Sequence, residues 1–174
     1  MNPTVSQPIS AAQYPQTLPI RSKVSAAAWD SFTVHVVDVQ ADFSETMTFS
    51  DLVLNLRISG TCHLRREVGS VSVARRSVPG SMNVIPAHLT ARWEARAISG
   101  NARTMAMFVP EAFLARVIAE NWGVESRKVE IIPQFLIHDL AIEGVLSRLA
   151  LEARHDSPPA NSMPRAHANS WRIT

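Results

Sequence analysis

Between residues 31 and 109 the sequence alternates apolar and polar side chains in short runs that end at glycine or proline. In the run 52–58, Leu52, Leu54, Leu56 and Ile58 fall on one face, and Asn55 and Arg57 fall on the other. A period of two predicts strands with one buried face, so we expect Arg57 on the solvated side. Turn signals at 78–80 and 99–101 separate such runs. The pattern favours six or seven antiparallel strands in a barrel or sandwich.

After residue 109 the apolar period becomes helical. Pro110 and Glu111 suit the first turn of a helix, and Gly123 suits its end. Asp139 is placed to cap a second helix. One face of that helix carries Ile142, Val145, Leu146, Leu149 and Ala153. We therefore predict an α+β fold, in which two amphipathic helices follow the barrel and dock on it or on a second subunit.

The two ends of the sequence lack this patterning. Residues 1–28 are rich in Pro, Ser, Gln and Ala and predict a flexible leader, and residues 156–174 predict a disordered tail. The barrel is assigned to 29–109 and a helical dimerisation or packing segment to 110–155. No apolar run approaches the roughly 20 residues of a membrane span. The leader does not resemble a secretory signal, and Cys62 is the single cysteine, so we expect a cytoplasmic protein.

Charge gives no sign of a nucleic-acid surface. The formal net charge is +2, and fifteen of the seventeen basic residues are arginine. The arginines are scattered, and two of them are adjacent only at 65–66 and 75–76. A DNA-binding face would concentrate them on one element. We expect an ordinary surface and no direct DNA binding by this chain.

No motif predicts catalysis. The sequence has no Gly-x-Ser-x-Gly elbow, Gly-x-Gly-x-x-Gly loop, phosphate-binding loop or His-Glu-x-x-His pair. Cys62 and His63 are neighbours, and neighbouring strand residues point to opposite faces, so they cannot act as nucleophile and base. We therefore predict no catalytic residues and no enzyme activity.

The stretch 80–91, GSMNVIPAHLTA, resembles the second sequence motif of the cupin superfamily. Gly80 and Pro86 match that motif, whereas His88 replaces a glycine and Ala91 stands where the metal-binding histidine would be. Near the expected first motif, only His63 and Glu67 are present. A catalytic metal generally needs three protein ligands. The resemblance therefore implies a cupin-like jelly-roll barrel, and we expect it to be metal-free and without a cofactor.

A longer span, from Leu52 to Arg154, resembles the N-terminal, arabinose-binding-like sensor domain of AraC/XylS-family transcriptional regulators. The matching blocks are Leu64-Arg65-Arg66, VPGSMNVIPA at 78–87, Ala91-Arg92-Trp93, FVPEAFLARV at 108–117 and Ile137-His138-Asp139-Leu140. In that family a metal-free barrel precedes a helical dimerisation segment and a C-terminal pair of helix-turn-helix motifs. The sequence contains no helix-turn-helix signature before Thr174. We therefore expect a sensor domain that lacks the DNA-binding half.

The resemblance implies a small-molecule effector inside the barrel, a homodimer through 139–155 and an N-terminal arm that can fold over the ligand. Candidate ligand-binding residues are the polar, aromatic and flexible side chains on strands around the barrel: Asn55, His63, Met82, His88 and Trp93. Trp93 also suits a core position.

Two other hypotheses remain open at this point. One is a small cupin-like isomerase or dioxygenase, which would require His35, His63 and His88 to converge on a metal. The other is a non-functional regulator fragment, in which Ile142, Leu146 and Leu149 would form an exposed apolar patch.

Overall fold

The computed structural model describes residues 7–17, 20–39, 42–125 and 129–155. The elements in chain order are α1 (Tyr14–Thr17), β1 (Ile20–Trp29), β2 (Phe32–Val39), β3 (Phe43–Thr48), β4 (Leu52–Val68), β5 (Val71–Ser77), β6 (Met82–Ile85), β7 (Thr90–Val109), α2 (Glu111–Trp122), β8 (Gln134–Ile137) and α3 (Leu140–His155). All named strand pairs are antiparallel. The α+β class, with an antiparallel barrel before two helices, is confirmed.

Two long strands, β4 and β7, organise the barrel. They pair along almost their whole length. The first part of β4 lies beside the last part of β7, and the last part of β4 lies beside the first part of β7. At one end of this pair, β2 joins β7 and β6 joins β4, with β1 and β8 outside them. At the other end, β3 pairs with β7 and β5 pairs with β4. Because both long strands bend between these ends, one eight-stranded sheet folds back around an interior.

The bend in β4 lies at Gly60. This residue has φ +75°, and a Cβ there would lie 2.5 Å from the carbonyl oxygen of Asn101 on β7. Only glycine accommodates both that backbone angle and that close approach. The β4–β7 register shifts repeatedly between Arg57 and Cys62. The inward-facing positions therefore change from odd to even numbers: Val53, Asn55 and Arg57 before the bend, and Leu64 and Arg66 after it.

The sheet buries residues on both faces. Its inner face holds a cluster that includes Val53, Trp93 and Phe108. Its outer face, formed by β1, β2 and β4, packs against α3, where Leu146, Ala150 and Ala153 contact the sheet. This arrangement explains why β4 buries Leu56 as well as Arg57, although its alternation predicted one solvated face.

The helix ends match the sequence signals. Asp139 Oδ1 accepts the backbone N–H groups of Ala141 at 3.0 Å and Ile142 at 3.1 Å, which confirms the predicted cap of α3. Gly123 ends α2 with φ +62°, and its N–H donates to the Ala119 carbonyl at 3.0 Å. No helix in the described part of the chain is long and apolar enough to cross a bilayer.

The predicted leader 1–28 needs correction where the structure describes it. Strand β1 occupies Ile20–Trp29 and pairs with β2 along that length. It contains Ala26, Ala27 and Ala28, residues with weak strand preference, and Ala27 packs in the cluster under α3. Small side chains let the helix approach the sheet closely, and they also left no apolar alternation to recognise.

The segment 110–155 is not purely helical, because β8 lies between α2 and α3 and pairs with β6. The predicted tail, 156–174, and residues 1–6 of the predicted leader lie outside the described residues.

Candidate functional site

The barrel encloses a small cavity, which we call the inner chamber, with a volume of about 50 Å³. Its wall contains apolar side chains from several strands together with four polar ones on β4 and β7. Its lining includes Tyr14, Phe49, Val53, Asn55, Arg57, Arg66, Ile85, Trp93 and Thr104. An apolar cavity with a few convergent polar groups is the usual form of a small-molecule site.

Arg66 lies at one side of the inner chamber and is only 3% exposed. Its Cζ atom lies 3.1 Å from the centroid of the Trp93 ring, a close cation–π contact. Its Nη1 donates to the Arg65 carbonyl at 3.3 Å, and its Nε finds no acceptor in the part of the chain that the structure describes. Trp93 itself is 5% exposed, and its indole Nε1 likewise has no described acceptor.

Arg57, on the other side of the bend in β4, is 8% exposed. Its Nε donates to Ser77 Oγ at 3.5 Å, and its Nη2 contacts Cys62 Sγ at 3.4 Å. The contact with Ser77 is long, sulfur is a weak acceptor, neither partner is a carboxylate, and Nη1 has no acceptor among the described residues. The site therefore contains a second buried guanidinium with weak compensation.

Burial lowers the pKa of Arg57 and lowers that of Arg66 strongly, because a desolvated guanidinium loses the hydration that favours its charge. The ordinary pKa of arginine is so high that both groups still carry their charge at neutral pH. Burial also raises the pKa of the Tyr14 phenol above its ordinary value, although the nearby charges of Arg57 and Arg66 act in the opposite direction. The inner chamber is a cationic site in an apolar wall.

An N-terminal segment, residues 7–17, contributes Tyr14 to the wall of the inner chamber. Ile9 bridges to the chain beside β3, because its N–H donates to the Thr48 carbonyl at 2.7 Å and its carbonyl accepts from Ser50 N–H at 3.1 Å. Tyr14 inserts its ring, 5.0 Å from the Phe108 ring centroid, and is 3% exposed. The Tyr14 side chain thus fills one end of the barrel interior.

Two of the five predicted ligand-binding residues lie at the inner chamber. Trp93 stacks under Arg66, and Asn55 lies in the wall, where its Oδ1 accepts from Asn83 Nδ2 at 3.2 Å. Asn83 in turn accepts the backbone N–H of Leu136 at 3.1 Å, so this amide pair connects β4, β6 and β8. We retain Asn55 and Trp93 as candidate ligand-binding residues.

The other three lie elsewhere. His63 is exposed on the outer face of β4, where it lines a separate surface pocket of about 280 Å³ together with Arg65, Arg75, Glu94 and Arg96. Met82 is buried in the outer cluster under α3. His88 is exposed in the β6–β7 turn, at φ +61°, and its N–H donates to the Phe49 carbonyl. His63 and Met82 occupy strand positions whose side chains lie on the outer face of the sheet, and His88 lies in a turn. For this reason none of the three lines the inner chamber.

The inner chamber does not fit the metal that a cupin motif would suggest. Ala91, at the position of the expected ligand, is buried in the interior and has no donor atom. No group of three or more His, Cys, Asp or Glu side chains could hold a metal ion within the described ranges. Arg57 and Arg66 would also repel a cation there. We therefore assign no metal chemistry to this site.

Sequence reasoning missed Arg57, Arg66 and Tyr14. A signal for Arg66 was present, since it shares the phase of Cys62 and Leu64, both buried. Arg57 was expected to be solvated because it lies opposite the leucines of β4, and it is buried instead. No periodic pattern marks Tyr14, whose burial depends on the docking of its segment.

Comparison with known proteins identifies the fold. No protein-family profile matches the sequence, and no curated protein matches it. An apo variant of ToxT from Vibrio cholerae, an AraC-family protein, superposes with a TM-score of 0.55 at 12% identity and covers 71% of this chain. The match covers 48% of the ToxT chain, so this chain corresponds to about half of that protein.

Cupin proteins also match. A cupin superfamily protein from Desulfitobacterium hafniense has a TM-score of 0.41 at 12% identity and covers 52% of this chain and 77% of its own. A cupin-2 domain protein from Shewanella frigidimarina has a TM-score of 0.39 at 16% identity, with coverages of 56% and 89%. The similarity to ToxT shows a shared fold, which in this chain is an antiparallel β-barrel followed by two helices.

Proposed function

We propose that this chain is a non-enzymatic small-molecule sensor domain of the AraC type. The observation that carries the proposal is the inner chamber, a small cavity lined by Tyr14 of the N-terminal segment and by buried donors that have no acceptor among the described residues. Supporting it are the sequence blocks that resemble AraC/XylS sensor domains and the structural similarity to ToxT over 71% of this chain. Catalysis has no supporting constellation in the described residues.

The proposed mechanism is a shift between two populations. A ligand that occupies the inner chamber changes the contacts of Tyr14 and therefore the docking equilibrium of the segment 7–17. Because that segment also bridges to Thr48 and Ser50, its position reports occupancy on the outside of the barrel. The ligand acts only through its different affinity for the two arrangements.

The proposal includes a homodimer through 139–155. The stripe of α3 that contains Leu146 and Ala153 is buried against the chain's own sheet, so it is not available to a partner. Leu140 and Leu151 are 85% and 54% exposed and provide apolar contacts for a second helix. Light scattering over a concentration series tests this part, and a monomer at every concentration would remove it.

The test of the sensor function is a thermal-shift screen of the purified chain against metabolites, run with and without a chelator. A compound that raises the melting temperature regardless of chelator supports a metal-free sensor, because a ligand of the folded state stabilises it by mass action. Loss of stability with chelator alone would favour the enzyme hypothesis. A chain without a cooperative transition would favour the fragment hypothesis.

Two variants locate the binding site of any compound found. Trp93→Phe removes the indole N–H that lines the inner chamber, so we expect weaker binding. His88→Ala alters an exposed turn residue, so we expect unchanged affinity. Unchanged affinity in Trp93→Phe together with weaker binding in His88→Ala would place the ligand outside the inner chamber.

A further inference from the structure

The charge of the inner chamber is unbalanced. Two arginines, Arg57 and Arg66, contribute to its wall, and none of the described residues that line it is Asp or Glu. Some exposed arginines, by contrast, pair with acids: Arg65 pairs with Glu67 and Arg148 with Glu152. Buried charges in proteins are normally paired, because an isolated one is costly to desolvate.

The inner chamber also contains buried hydrogen-bond donors that have no acceptor in the described part of the chain. Arg57 Nη1, Arg66 Nε and Trp93 Nε1 are buried and have no acceptor among the described residues. All three atoms are donors only, and all three side chains line the same cavity. Among the described residues the site therefore lacks both an anion and an acceptor for these three donors, which one chemical group could supply together.

We propose that the inner chamber binds an organic carboxylate, whose oxygens accept from Arg57, Arg66 and Trp93 while its hydrocarbon or aromatic part contacts Val53, Ile85 and Phe49. This inference rests on the proposed sensor function and names its ligand class. An ionised carboxylate accepts hydrogen bonds and donates none, and it matches guanidinium geometry well. The apolar remainder of the wall favours a monoanion over phosphate, which carries more charge to desolvate.

Cavity size sets the relation between the ligand and Tyr14. A volume of about 50 Å³ accommodates a few water-sized groups, enough for a carboxylate head. A ligand with a longer body needs the space that the Tyr14 ring fills, and must displace it. Small carboxylates are therefore expected to bind with the segment 7–17 docked, and larger ones to release it.

The test uses the full chain and pairs of probes that differ only in charge: acetate, hexanoate and benzoate against acetamide, hexanamide and benzamide. Binding is measured by calorimetry and by thermal shift, with inorganic phosphate as the competing anion. We expect at least one carboxylate to bind, and its amide to bind at least about tenfold more weakly, a difference of about 1.4 kcal/mol, because hydrogen bonds to a charged acceptor are stronger than those to a neutral one.

Arg66→Met and Arg57→Met remove the two charges, and Arg65→Met is the matched control on the outer face of the same strand. We expect each inner variant to weaken carboxylate binding by about thirtyfold or more, and Arg65→Met to change it by less than about twofold. We also expect Arg66→Met to unfold at a higher temperature than the unliganded parent, because a buried unpaired charge is removed. This stability readout verifies that the variant folds.

Each contrary outcome has a definite meaning. Equal binding of amide and carboxylate, equal binding of phosphate, or an equal loss in Arg65→Met overturns the carboxylate assignment. The amide comparison needs only the parent chain, so it decides the matter even if an inner variant fails to fold. Neutral metabolites that bind without any preference for charge would overturn this inference and leave the sensor function standing. A cooperative chain that no compound stabilises would overturn the sensor function itself.

Discussion

Replacing Tyr14 with alanine tests whether the N-terminal segment is an integral part of the barrel. The side chain is 3% exposed, and its ring lies within aromatic contact of His35, Phe49 and Phe108, with centroid distances of 5.7, 6.3 and 5.0 Å. Truncating a buried aromatic residue to alanine costs about 3–5 kcal/mol in folded cores. For a chain of this size, about 3 kcal/mol corresponds to a melting temperature lower by roughly 6–12 °C.

A second possibility limits that loss. If the segment 7–17 detaches in Tyr14→Ala, the cost cannot exceed the net free energy with which the segment docks. Urea denaturation separates the two cases, because detachment leaves less surface to expose on unfolding and lowers the m-value, whereas a cavity leaves it unchanged. Tyr14→Phe keeps the ring contacts and is the control, with an expected loss below about 1.5 kcal/mol. A loss under about 1 kcal/mol in Tyr14→Ala with an unchanged m-value would refute the docked arrangement.

Three further measurements probe the fold. Gly60→Ala is expected to lower the free energy of unfolding, measured by urea denaturation, by more than about 2 kcal/mol, because φ is +75° and the new Cβ would meet the Asn101 carbonyl. In the control Gly69→Ala, φ is +55° and the space is open, so the free energy of unfolding should fall by only about 1–2 kcal/mol. Equal losses in the two variants would contradict this explanation. Asp139→Ala should cost about 1 kcal/mol, and no change would argue against the cap. The raised pKa of Tyr14 favours its neutral form in the folded state, so its contribution to stability is complete below about pH 10 and falls as the pH rises further. The parent should therefore lose more stability at high pH than Tyr14→Phe, and parallel curves would exclude this linkage.

Most of the fold could be predicted because its signals are local. The alternation in β4, the turn at Gly80 and the change to a helical period after residue 109 each depend on residues close in sequence. Asp139 and Gly123 mark helix ends through contacts within one turn. Strand β1 was the main omission, since its alanines are explained only by the approach of α3, an element more than a hundred residues later.

The candidate site could be predicted only in part. Trp93 and Asn55 were identified from residue type and position, and both line the inner chamber. His63 and His88 were chosen for their chemistry, yet residue type says nothing about which face of the sheet becomes the inside. Met82 occupies a buried position of the kind expected, but on the outer side of the sheet, under α3.

The sequence by itself determined the strands, the turns and the caps, because hydrophobic periodicity and backbone preference act over a few residues. Only the tertiary structure decided that Arg57 and Arg66 face the same interior. They are nine positions apart on one strand, an odd spacing that places regular strand residues on opposite faces. The bend at Gly60 and its register shifts reverse the phase between them. That reversal depends on the close approach of Asn101 from β7, a contact across more than forty residues, and it brings two cations into one apolar chamber.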